Sequence, residues 1–122
     1  MKTTSRQSIE LGSVEPSASA ALAELQAALH NLYGKNIPKL LLYGSYARGQ
    51  ESAASDVDVV LIYSKEVLPG QEIKRLQVIL SSLNLRYQIL ISVLPTSIHQ
   101  YQTSTSAFWK NVRREAVPID RL

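Results

Sequence analysis

The sequence predicts a single small α/β (or α+β) domain, a mixed β-sheet flanked by helices. Three observations carry this. KLLLY, DVDVVLIY and YQILISVL are short apolar runs of strand length. Two other segments repeat apolar residues at helical spacing. The two kinds of segment interleave along the chain, the pattern of layered α/β domains.

Residues 1–16 are rich in Ser and Thr and lack periodicity, so a flexible arm is expected there, with residues 17–122 as the domain. Ala18, Ala21, Leu22, Leu25, Leu29 and Leu32 make one helical stripe, and Gly34 is a suitable stop. Pro38 leads into a strand ending at Gly44, and Asp56 to Tyr63 forms a second. Pro69 and Gly70 open a helix with Glu72 in its first turn and Ile73, Leu76, Ile79, Leu80 and Leu83 inward. A third strand is expected over 87–94, closed by Pro95, then helical stretches near 96–102 and 105–116, ended by Pro118.

Composition narrows the function. There is no cysteine, which excludes disulfides, thiolate metal sites and cysteine catalysis. His30 and His99 form no ligand motif. No apolar run reaches the ~18 residues of a membrane span, and the polar start does not read as a signal peptide. A cytoplasmic protein is expected. The net charge of +3 suits an anionic ligand and is weak evidence for nucleic acid.

The chemistry concentrates in residues 44–58, GSYARGQESAASDVD. On a strand, Asp56 and Asp58 project to one face while Val57 points to the other. Two adjacent carboxylates are costly unless a cation sits between them, and Mg2+ with triphosphate oxygens fits that role. Gly44-Ser45 ends the preceding strand. Its backbone N–H groups and serine hydroxyl suit phosphate oxygens, and Gly44 lets an anion approach closely. Arg48 adds a cationic fork. Gly44 and Gly49 have Walker A spacing, but Gln50-Glu51 stands where Lys-Ser/Thr is required.

Gly44-Ser45, ten residues, then Asp56-Val57-Asp58 resembles the signature of the DNA polymerase β-like nucleotidyltransferases. The fuller run through SDVDVVL, and the tail from Ser92 to Ile119, resemble their minimal nucleotidyltransferase branch. The resemblance implies a nucleotidyltransferase fold, ATP as substrate and Mg2+ held by Asp56 and Asp58. Gly44, Ser45 and Arg48 would then face the nucleotide. It also implies an antitoxin that transfers AMP to a hydroxyl, a tyrosine in some members, of a partner HEPN ribonuclease toxin. No membrane or direct nucleic-acid partner is implied, and a hetero-oligomer is. The family's third carboxylate lies on the next strand, after a tyrosine. Here Gln88 follows Tyr87, and on an 87–94 strand it shares a face with Leu90 and Ser92. A neutral amide is a weak ligand and a poor base. An acid from Glu51, Glu66, Glu115 or Asp120 would have to substitute, or the chain is an antitoxin that acts by binding. Transfer to a small molecule or RNA is the further alternative.

Tyr46 is a candidate base contact or a surface aromatic. Phe108, Trp109 and Val112 form an apolar side of the last helix, and Lys110, Arg113 and Arg114 a basic one.

Overall fold

The structure is a computed structural model that describes residues 9–10, 16–44, 46–47 and 56–120. The strands are β1 (Ile9–Glu10), β2 (Lys39–Tyr43), β3 (Val57–Tyr63), β4 (Ile91–Ser97) and β5 (Val117–Asp120). The helices are α1 (Pro16–Tyr33), α2 (Pro69–Tyr87), α3 (Ile98–Thr103) and α4 (Ala107–Glu115). The sheet order is β1-β5-β2-β3-β4. Four strands make a mixed sheet, and the two-residue β1 extends it beside β5. β2 is antiparallel to β3 and β5, whereas β4 is parallel to β3 and β1 to β5. The β3-α2-β4 passage is the crossover that a parallel pair demands.

Alternation along the strands explains why they read as continuous apolar runs: both faces are covered. Leu40, Leu42, Val57, Val59, Leu61, Ile91 and Val93 join Leu22, Leu25, Leu76 and Leu80 in the main core. On the other face Leu41, Val60 and Ile62 pack with Val112 and Ala116. Asp58 belongs by parity to this second face.

Several sequence expectations are corrected. The third strand is displaced: α2 runs to Tyr87 because its inward stripe continues there, and β4 begins only at Ile91. Pro95 lies within β4, where it is tolerated because β4 is the outer strand of the sheet. β5 has no counterpart in the sequence reading. Pro118 does follow α4, but it pairs with Leu41. Ile9 and Glu10 pair with Ile119 and Asp120, so that part of the expected arm is strand. The helix stripes hold except at Leu32 and Ile73, both 43% exposed, and α2 buries Glu72 instead of Ile73. Among the described residues no helix is long and apolar enough to cross a membrane.

Candidate active site

β2 and β3 bring Gly44 and Asp58 of the motif together. Antiparallel register sets Tyr43 opposite Asp58, so the residue after Tyr43 arrives beside that carboxylate. That residue is Gly44, with φ of +78°. This left-handed conformation is natural for glycine and strained for other residues. A β-carbon on Gly44 would lie 2.7 Å from Asp58 Oδ2. The chain then turns: the Ala47 N–H donates to the Gly44 carbonyl at 3.1 Å. Ser45 and Arg48, expected to hold phosphate, lie outside the described residues. Tyr46 is 3% exposed and belongs to the main core. It is thus neither a base contact nor a surface residue; its ring anchors the turn.

Asp56 is exposed and immediately precedes β3, which is fastened there by the Val57 N–H donating to the Leu90 carbonyl at 2.8 Å. Asp58 is half-buried. Its carboxyl is held above the ordinary carboxylate range, first by burial and then by the negative charge of Asp56. The two aspartates therefore sense one another as like charges. That is an electrostatic deficit which a divalent cation would relieve.

Parallel register places Ser92, not Gln88, beside Asp58. Gln88 caps the C-terminus of α2 in the left-handed conformation (φ 55°) and donates its N–H to the Asn84 carbonyl. It lies outside β4, so strand alternation does not reach it, and the expectation that it faces the site is corrected. Among the described residues no third His, Cys, Asp or Glu completes a metal-binding group. Of the proposed substitute acids, Glu66 lines a cleft beyond the far end of β3. Glu115 ends α4 and pairs with Arg114 at 3.5 Å. Glu51 lies outside the described residues.

An aromatic run borders the site on the Asp58 face. Tyr43 meets Phe108 edge-on at 6.2 Å, Phe108 meets Trp109 at 5.1 Å, and Trp109 meets Tyr101 at 6.3 Å. Val112 is fully buried, Trp109 partly, and Phe108 remains 45% exposed. The basic residues of α4 are partly committed: Arg113 donates to the Tyr101 carbonyl at 2.8 Å and Arg114 to Asn111 at 2.7 Å.

Comparison with known proteins identifies the family. The chain is 37% identical over 71 residues to the Methanocaldococcus jannaschii protein named "Putative protein adenylyltransferase MJ0141", covering 58% of this chain and 71% of that one. "Putative protein adenylyltransferase MJ0604" of the same organism is 40% identical over 42 residues, 34% of this chain and 42% of that one. A solved chain described as "Crystal structure of the toxin-antitoxin with AMP-PNP" superposes with a TM-score of 0.53 at 13% identity. The superposition covers 80% of this chain and 70% of that chain, and at such identity it shows the shared fold alone. The family model for "Polymerase beta, Nucleotidyltransferase" matches residues 24–119, and the chain belongs to this nucleotidyltransferase family.

Proposed function

We propose that the chain is an antitoxin-type protein adenylyltransferase. It transfers AMP from ATP to a hydroxyl of a partner HEPN ribonuclease toxin, with a tyrosine as acceptor. The observation that carries the reading is the junction of Gly44 and Asp58 across β2 and β3, with Asp56 close enough to raise the Asp58 pKa. A glycine that opens space against a carboxylate pair suits a nucleotide triphosphate and its cation. Asp56 and Asp58 are the residues that would hold Mg2+. When bound, Mg2+ neutralises phosphate charge and polarises the phosphorus under attack. The backbone after Gly44, with Ser45 and Arg48, would hold the phosphates. In the reaction the acceptor oxygen attacks the α-phosphorus, the bond to the β-phosphate oxygen breaks, pyrophosphate leaves, and the hydroxyl proton passes to solvent. The names of the two archaeal relatives support protein as the acceptor, and the fold shared with a toxin–antitoxin chain supports a toxin partner.

One observation favours a second reading. The position beside Asp58 on β4 is a serine. A chain without a third carboxylate there could neutralise its toxin by binding alone. The test is incubation with the partner toxin, labelled ATP and Mg2+, read by mass spectrometry of the toxin. AMP on a toxin tyrosine supports transfer. Unmodified toxin that is nonetheless silenced, with ATP unspent, replaces it with the binding reading.

A further inference from the structure

A second cleft, of about 510 Å³, opens beyond the C-terminal end of β3, at the opposite end of that strand from Asp58. Tyr33, Tyr63, Lys65, Glu72 and Arg75 are among the residues that line it. Glu72 is only 7% exposed, and α2 buries it while leaving its neighbour Ile73 43% exposed. Burying a carboxylate is costly unless its oxygens are satisfied. Tyr33 donates its hydroxyl proton to Glu72 Oε1 at 2.5 Å. That phenol has one proton to give. Across the 3.3 Å contact between the two hydroxyls, Tyr63 must therefore be the donor and Tyr33 the acceptor. The relay runs from Tyr63 through Tyr33 to Glu72. Both phenols have raised pKa values, chiefly from burial, and so keep the protons the relay needs.

The relay has used all of its donors. Its remaining capacity is for accepting: a carboxylate offers about four lone-pair sites, and Glu72 takes one hydrogen bond from Tyr33 and a further interaction from Tyr63. The walls are aromatic: Tyr33 and Tyr63 meet edge-on at 5.6 Å. One guanidinium already lies against this wall. The Arg75 guanidinium lies over the Tyr33 ring at 5.8 Å, and no described ion pair joins it to Glu72. Planar guanidinium combines a fork of donors with affinity for aromatic faces, which a compact ammonium ion does not. Around Glu72 the rim carries Lys65 and Arg75 against Glu66, so the attraction for a cation comes from the Glu72 carboxylate itself and from the aromatic walls.

We infer that this cleft is a binding site for a guanidinium group, received by the Glu72 carboxylate between the tyrosine rings. The group can arrive on a small molecule or as an arginine side chain of a docked protein. The test titrates the full chain with agmatine, with the tripeptide Gly-Arg-Gly and with putrescine as the ammonium control, following the Tyr33 and Tyr63 ring signals by NMR. Saturable shifts with either guanidinium probe and at least tenfold weaker binding of putrescine are expected. The tighter of the two guanidinium probes identifies the source. Glu72→Gln should weaken the titration at least tenfold. If that variant does not fold, Glu72→Asp, which withdraws the carboxylate by one methylene, is read instead and should weaken it severalfold. No ring shifts with either guanidinium probe, putrescine binding as tightly as agmatine, or undiminished binding in the folded Glu72 variant would overturn the inference.

Discussion

Gly44 and Asp58 approach so closely that a β-carbon on the glycine would overlap the carboxylate, 2.7 Å from Oδ2. Two constraints therefore meet at one residue: a positive φ of 78° and a missing side chain. Gly44→Ala should cost about 1–3 kcal/mol of stability from backbone strain. It should also push Asp58 out of line with the turn. The expected result is a lower melting temperature together with loss of Mg2+-dependent ATP binding. Calorimetric titration of the folded variant at a temperature below its melt checks this. Full-strength ATP binding would show that the close approach serves packing alone.

Asp58 gives a pH dependence of definite sign. Its folded pKa lies above the ordinary value of 3.8, through burial first and Asp56 second. The folded state thus holds this proton more tightly than the unfolded state. Stability from this group declines as pH rises from the ordinary aspartate pKa through the raised one, and stays lower above it. Asp58→Asn removes that loss. Without metal, the variant should melt higher than wild type at pH 7, with the gap closing as pH falls toward the ordinary pKa. The same substitution should abolish metal-dependent AMP transfer. Asp56→Asn should likewise abolish transfer and bring the Asp58 pKa down, because a like charge is gone. Thermal melts across pH, with NMR titration of the carboxyl, decide the point. An Asp58→Asn protein less stable than wild type at pH 7 would contradict it.

The helix that covers the Asp58 face is anchored by a residue that is buried and fringed by one that is not. Val112 is fully buried, whereas Phe108 is 45% exposed. Val112→Ala removes two carbons at about 0.8 kcal/mol each and leaves a cavity, so a loss of about 2 kcal/mol is expected. Phe108→Ala gives up edge-on contacts with Tyr43 and Trp109, together about 1–3 kcal/mol. Denaturant titration should therefore find the two losses comparable, although one residue is buried and the other 45% exposed. A Phe108→Ala loss near zero would mean that Val112, not the aromatic run, holds α4 to the sheet.

What was legible in the sequence follows physical signal strength. The β2 and β3 runs are unmistakable because both of their faces are buried. The parity of β4 was also readable: Ile91 and Val93 are buried and Ser92 is exposed. Its start was not, because Tyr87 fits both the inward stripe of α2 and the alternation of a strand. No local signal decides between them; the helix continues because its stripe already packs against the core. β5 was missed for a different cause. VPID contains a proline and is only four residues long, and its strand character comes from pairing with β2. Burial of Glu72 in place of Ile73 is a tertiary choice made through Tyr33, 39 residues away.

The register between β3 and β4 moves the question of the third carboxylate from Gln88 to Ser92. Ser92 lies directly across from Asp58 in a parallel pair, where neighbouring strands are about 4.8 Å apart and paired side chains share a face. Ser92 is exposed on that face, so a longer acidic side chain has room. Ser92→Asp should therefore tighten Mg2+ binding and raise AMP transfer, since a well-placed base is worth about 10²–10⁴-fold. Gln88→Asp should leave both unchanged, because position 88 is a left-handed helix cap outside β4. There the useful substitution is Gln88→Gly. It relieves a positive φ at some cost in chain entropy, for a net gain of roughly 0.5–1 kcal/mol. Side-by-side transfer assays and melts of the three variants test the assignment. If Gln88→Asp activates and Ser92→Asp does not, α2 must end earlier in the working enzyme and the strand must extend back to residue 88. If neither activates while the wild type already modifies its partner, Asp56 and Asp58 suffice for transfer and the carboxylate missing beside Asp58 is not a deficiency.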